Sequence, residues 1–314
     1  MASAQHRLLK LALNVSSMMF PTRNLNLTLL RESTELISLV ALLPWGVKAK
    51  KFNVSNLDCE IIEPVRKSDT KKALLYLHGG GYAIGSSQTH RSMVGKLVDE
   101  THVTALLVNY RKIPTFPCPA AIEDALVGYQ YLLNNGYLPE EIAVAGDSAG
   151  GGLVCSLFFM LKERQIPLPK CGICLSPWVD LLHMGESSEK NKYSDPFVKV
   201  DEMHRWASVY AGDKPLDHPY VSPLYGDLSN FPPMLIQTST NEILHDDSKR
   251  LKEAFENVNV EVNYQEWDDL IHWWQLFWRF IPESEDALNK VASFINFHLD
   301  PTYKQVDEKF IIKK

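Results

Sequence analysis

Cysteine, long apolar runs and clustered positive charge are all scarce in this chain of 314 residues. The 5 cysteines, Cys59, Cys118, Cys155, Cys171 and Cys174, are odd in number and scattered, which excludes a disulfide framework and fits reduced thiols. Cys171 and Cys174 stand three apart inside the strand-like run Lys170 to Ser176. Residues so spaced in a strand point to opposite faces, so they do not form a redox pair. No unbroken apolar stretch reaches the roughly 18 residues of a membrane span, so stable membrane insertion is not expected. His6, Arg7 and Lys10 ahead of Leu11 to Phe20 imitate a secretory signal, but Asn14, Ser16 and Ser17 interrupt the run and no small-x-small cleavage site follows. The expectation is therefore a cytoplasmic protein, in which the Asn-x-Ser/Thr matches at Asn14, Asn26 and Asn53 carry no sugar. A net charge of -6, with no basic cluster interleaved with aromatics, argues against a nucleic-acid partner. The tract Lys48 to Lys51 reads as a solvated strand end, and no internal repeat or low-complexity tract is present.

What is present is an ordinary globular composition, 45% hydrophobic and 22% charged, enough for one large α/β domain with a smaller appendage. Two helical patterns flank Pro21, with Leu8, Leu11, Val15 and Met19 as one greasy face and Leu36, Ile37, Val40 and Leu43 as the other. Val47 to Pro64 reads as a strand pair turning at Val54 to Leu57. Ala73 to Leu77 is a continuous apolar run of strand length, the pattern of a parallel-sheet interior. Helix near Gln88 to Thr101, strand Val103 to Asn109, helix Ala120 to Leu133 and strand Glu141 to Ala145 follow. This alternation predicts βαβ units and a mostly parallel sheet with helices on both faces.

The pattern resumes at strand Cys171 to Ser176, breaks between about Leu181 and Leu228, and returns as strand Met234 to Thr238, helix Asp246 to Glu256, strand Val260 to Glu266 and a helix near Glu285 to Phe297. The break holds a helix-like piece, Asp201 to Tyr210, and reads as a lid rather than a separate domain. The charged end, Pro301 to Lys314, is expected to fray.

The chain is organised around Gly146-Asp147-Ser148-Ala149-Gly150, preceded by a strand and followed by the apolar helix from Leu153. A strand turning sharply into a helix at G-x-S-x-G is a nucleophile elbow, in which small residues two places either side of the serine let strand and helix pass closely. A serine hydroxyl is a poor nucleophile at neutral pH, so Ser148 needs a base within reach and an acid to hold that base in the right tautomer. In sheets of this type the partners follow in the order serine, acid, histidine, which directs attention to two loops. After strand Met234 to Thr238, Glu242 comes first and is assigned as the acid, while Asp246 and Asp247 fit the N-cap and first turn of the next helix. After strand Val260 to Glu266, His272 sits just beyond a carboxyl end and is assigned as the base. Asp268 and Asp269 fall outside the expected order, and His298, near the end of the last helix, is a surface or packing residue.

The oxyanion formed when Ser148 attacks a carbonyl needs preorganised donors. His78-Gly79-Gly80-Gly81-Tyr82 directly follows the first parallel strand, and H-G-G-G in that loop is the lipase/esterase form of an oxyanion hole, with the amide after the nucleophile, Ala149, as its second source.

On these two glycine motifs and the Glu242 and His272 loops, the sequence resembles the hormone-sensitive-lipase-like (family IV) esterases of the α/β-hydrolase superfamily over residues 73–299. Tyr110-Arg111-Lys112-Ile113-Pro114 is similar to that family's Y-R-L-A-P segment, and Pro119 to Asp124 to its P-A-A-x-x-D run. The resemblance implies Ser148 as nucleophile, Glu242 as acid, His272 as base and the amides of Gly80, Gly81 and Ala149 as the oxyanion hole. It implies an α/β-hydrolase core at 46–182 and 216–300, a helical cap from 1–45 and 183–215, and a tail at 301–314. Two departures stand out: Glu242-Ile243-Leu244 where many members have D-P-L, and His272-Trp273-Trp274 where many have H-G-F. The implied activity is carboxylic-ester hydrolysis through an acyl-enzyme, with a small-molecule ester as substrate and no metal or organic cofactor. A homodimer is compatible with the resemblance. Cap residues Met18, Met19, Phe20, Met203 and Trp206 either enclose an apolar pocket suited to short or medium acyl chains or form only the core of the cap. Amide, formamide or carbamate hydrolysis by the same groups, and a hydrolase-fold protein that binds a small ligand without turnover, are the rival readings.

Overall fold

Five residues, Ala73–Leu77, form a strand in which every side chain is buried, because helices cover it on both faces. A computed structural model describes residues 2–19, 27–38, 42–66, 71–196, 198–300 and 302–303. Among the described residues eight strands form one sheet: β1 (Val47–Val54), β2 (Leu57–Pro64), β3 (Ala73–Leu77), β4 (Thr104–Val108), β5 (Ile142–Asp147), β6 (Cys171–Leu175), β7 (Met234–Ser239) and β8 (Val262–Trp267). Their order is β1-β2-β4-β3-β5-β6-β7-β8; the pairs β1–β2 and β2–β4 are antiparallel and the others parallel. The β1–β2 hairpin turns through Ser55 and Asn56, both at positive φ, which matches the twist of the strands it joins.

The helices are α1 (Ala4–Met19), α2 (Leu27–Ser38), α3 (Ser87–Thr101), α4 (Ala120–Asn134), α5 (Ala149–Glu163), α6 (Ser187–Lys190), α7 (Val200–Ala211), α8 (His245–Asn257) and α9 (Pro282–Leu299). Side chains from α4, α5 and α8 join Leu75, Leu77 and Val144 in one core; those from α3 and α9 join Leu74, Tyr76 and Ala145 in the other. The period-2 alternation of β3 and β5 thus feeds both cores. Cys174 lies in the first core and Cys171 in the second, on opposite faces of β6 as the spacing requires.

Helix α1 departs from expectation. Leu8 and Leu11 are 69% and 61% exposed, and the docked row is Leu9 and Leu13 with buried His6, against Leu270, Ile271 and Trp274. The helix carries two leucine rows, and the buried one is that in register with His6, whose Nε2 accepts the Ile271 N–H at 3.1 Å. On α2, Leu36 is exposed while Leu27 and Leu30 pack on the core. Val40, Pro21 and Phe20, the side chains of Val15, Met18, Met19 and Ile37, and nearly all of the tail at 301–314 lie outside the described residues. His298 packs its ring against the edges of Phe294 and Phe297, the packing role expected of it.

The cap of α8 is also corrected: its N-cap is Leu244, and Asp246 and Asp247 lie in the first turn. Asp247 is buried, and its Oδ2 accepts the N–H groups of Val179 and Asp180, both at 2.9 Å. Burial, aided by the neighbouring Asp180 carboxylate, pushes its carboxyl up to about 8. An unfolded Asp titrates near ~3.9, so between that value and about 8 the folded chain binds the extra proton and this site's contribution to stability falls as pH rises. Melting followed from about pH 5 to about pH 8 is expected to show a shallower decline for Asp247→Asn than for the wild type, because the variant has nothing to titrate.

Candidate active site

Where β5 meets α5, Ser148 holds φ 53 and ψ -123, a conformation rare for a residue with a side chain. Its N–H donates to Leu175 at 2.8 Å, and its carbonyl accepts from Trp178 and Gly152 at 2.9 and 3.2 Å, so backbone bonds hold the strained turn. A Cβ at Gly146 would overlap the Gly150 carbonyl, and one at Gly150 would overlap the Leu77 carbonyl. Close passage of strand, helix and the neighbouring loop is therefore possible only with glycine at both positions.

Asp147 ties this turn to the loop after β3. Buried, it accepts from the Gly79 N–H at 3.0 Å and the Tyr76 hydroxyl at 2.9 Å through Oδ1, and it pairs with His90 Nε2 at 3.2 Å through Oδ2. Burial opposes the charged carboxylate, but His90 and these donors outweigh it and hold Asp147 below the usual carboxylate range. Tyr110 stacks on His78 at 4.2 Å between ring centroids and donates its hydroxyl to the His78 carbonyl at 2.7 Å. Gly80 and Gly81 follow at φ 114 and 59, and the Trp206 ring of α7 stands against Gly81 where a Cβ would be. No described residue accepts a hydrogen bond from the N–H of Gly80, Gly81 or Ala149.

Glu242 and His272, predicted from different loops, meet. His272 Nδ1 lies 2.7 Å from Glu242 Oε2, and both side chains are buried. Glu242 Oε1 accepts from the Ser176 hydroxyl at 2.8 Å and the Ser239 N–H at 2.9 Å. Because Ser176 directly follows Leu175, to which the Ser148 amide is bonded, a short chain of hydrogen bonds links the elbow to the dyad. Burial works against a charged imidazole, but the bond to Glu242 and its charge prevail, raising His272 above the usual histidine range. Burial likewise raises Glu242, an effect the bonds from His272 and Ser176 partly offset. His272 Nε2 is buried and meets no partner among the described residues.

Asp268 and Asp269 are exposed, and Asp269 binds Lys10 and Asn241. Sequence reasoning missed Ser176, His90 and Asp195, whose Oδ2 accepts the His272 N–H at 3.0 Å. No described group of three or more His, Cys, Asp or Glu side chains is placed to hold a metal ion, and no described helix is long and apolar enough to cross a membrane.

A family model described as the alpha/beta hydrolase fold matches residues 74–276. The chain belongs to this family, the α/β-hydrolases. Within it the chain groups with the hormone-sensitive-lipase-like esterases. An acetyl-hydrolase of Streptomyces hygroscopicus is 36% identical over 242 residues, covering 77% of this α/β-hydrolase and 80% of the relative. An esterase of Acinetobacter venetianus is 34% identical over 230 residues, 73% of this chain and 76% of that one. Among solved structures, an esterase from the bacterial hormone-sensitive lipase family superposes with a TM-score of 0.89 at 34% identity, covering 95% of this chain and 100% of the other. EstE5, in a crystal soaked with p-nitrophenyl butyrate, gives a TM-score of 0.89 at 32% identity, covering 95% and 99%. This α/β-hydrolase is accordingly an enzyme of the serine-hydrolase type.

Proposed function

We propose that this α/β-hydrolase cleaves short- to medium-chain carboxylic esters, with Ser148 as nucleophile, His272 as base and Glu242 as acid. The observation that carries the reading is the 2.7 Å bond between His272 Nδ1 and Glu242, which orients the ring and leaves Nε2 unpartnered. Ser148 attacks the ester carbonyl while its proton passes to Nε2; Glu242 stabilises the imidazolium. The oxyanion is met by the N–H groups of Gly80, Gly81 and Ala149, each typically worth about 3 to 4 kcal/mol of barrier. Collapse breaks the carbon–oxygen bond to the alcohol, which leaves with the proton from His272. Water then attacks the acyl-enzyme with His272 taking its proton; the bond from the acyl carbon to Ser148 Oγ breaks, the carboxylic acid leaves and His272 returns the proton to Ser148.

In this reading α1, α2 and the segment 183–215 form a cap, and Trp206 against Gly81 bounds the acyl side of the oxyanion hole. The names of the relatives support ester hydrolysis, and that of the acetyl-hydrolase supports a small acyl group. The test is the rate across an acyl series from acetate to palmitate, together with labelling by a serine-directed phosphonate. Stoichiometric labelling and a maximum at a short or medium chain are expected. A maximum at the longest chain would overturn the size preference, and absence of labelling would point to a ligand-binding protein instead.

A further inference from the structure

The loop that carries the base is held by side chains. Four successive amides each donate to one: Asp269 to Thr240 Oγ1 at 3.2 Å, Leu270 to Ser239 Oγ at 2.8 Å, Ile271 to His6 Nε2 at 3.1 Å and His272 to Asp195 Oδ2 at 3.0 Å. Ser239 ends β7 and Thr240 follows it, but His6 comes from α1 and Asp195 from the segment between β6 and β7. The base's own amide is thus gripped from outside the sheet.

We infer that Asp195 is a positioning residue for His272, delivered by the segment between β6 and β7, so that this segment is a working part of the active centre; the inference rests on the triad reading above. Asp195 is buried, and its second oxygen, Oδ1, accepts the Val198 N–H at 3.0 Å, two residues before α7 begins. One carboxylate therefore couples the start of α7, which carries Trp206 over Gly81, to the backbone of the base. Such a brace fixes the ring's height relative to Ser148, where an error of about 1 Å is enough to cost about 10²-fold in rate. Asp195 also acts through charge. The groups facing His272 are Glu242 from the loop after β7, Asp195 and, at the end of β5, Asp147, all of which favour the imidazolium. His6 lies one residue away at the Ile271 amide, and Lys199 bonds the Asp195 carbonyl.

The test compares Asp195→Ala and Asp195→Asn with wild type and Ser148→Ala on a short aryl ester, over a range of pH and with active sites counted by phosphonate labelling. Asp195→Ala is expected to lose about 10²-fold in kcat per labelled site with KM within about twofold. Asp195→Asn, which can keep its one oxygen on the His272 amide only by setting its NH₂ against the Val198 N–H, is expected to recover part of that loss while its acid limb moves down by about half a pH unit, because a negative charge beside the imidazolium is gone. A purely structural role would lower the melting temperature and leave both readouts at wild-type values. Wild-type kcat and an unmoved acid limb in both variants would overturn the inference; should Asp195→Ala not fold, an unmoved limb in Asp195→Asn does so alone. Turnover surviving in Ser148→Ala would instead strike down the triad reading.

Discussion

Alanine at position 148 is expected to lower kcat for ester hydrolysis by about 10⁴- to 10⁶-fold while leaving the fold intact. The size follows from what is removed: without the hydroxyl no acyl-enzyme forms, and only binding and the oxyanion donors remain to assist direct attack by water. The stability expectation follows from the backbone. The turn is held by bonds to Leu175, Trp178 and Gly152 that involve only the Ser148 N–H and carbonyl, and its side chain does not cap α5. Alanine also bears the positive φ at about the same cost as serine. A melting temperature equal to wild type, together with loss of both turnover and phosphonate labelling, is the expected pair of results. Retained turnover at more than about a hundredth of the wild-type rate would remove Ser148 from the reaction.

The parts of this site that could be read in the chain are those where sterics allow few residue types. Gly146 and Gly150 are forced by carbonyls that leave no room for a Cβ, so the elbow leaves a mark at fixed spacing. The buried strands β3 and β5 leave another, continuous apolar runs, because helices cover both faces. Glu242 and His272 were reachable through the order in which strands deliver their ends. Asp195 and Ser176 were not, since the bonds that join them to His272 and Glu242 span 77 and 66 residues, and no local pattern records such a bond. The outward face of α1 is illegible for a different reason: either leucine row satisfies helical periodicity, and only the tertiary partner of His6 decides between them. A first turn accounts for Asp247 in the sequence alone, whereas in the fold the segment after β6 covers it and makes it a buried acceptor.

Glu242→Gln is expected to lower kcat by about 10³- to 10⁴-fold although the side chain keeps its shape. Glu242 Oε1 faces the fixed N–H of Ser239 and the Ser176 hydroxyl, and Oε2 faces His272 Nδ1. A glutamine has one oxygen and one NH₂ for these two sides. The Ser239 amide cannot turn away, so the oxygen must take that side and the NH₂ must face His272. The imidazole then offers Nδ1 as acceptor and carries its proton on Nε2, the wrong tautomer for accepting a proton from Ser148. Loss of the carboxylate also removes the charge that outweighs burial and holds His272 up, so the imidazolium of the transition state becomes costlier. Glu242→Asp restores the charge but shortens the reach to Nδ1, and is expected to keep more activity than the glutamine variant. Asp268 and Asp269 are exposed while the His272 ring is buried, and Asp269 is engaged with Lys10 and Asn241, so no rescue by either is expected. Kinetics of the two variants on one aryl ester separate charge and tautomer from mere volume: a glutamine variant within about tenfold of wild type would mean that His272 needs no anionic partner here.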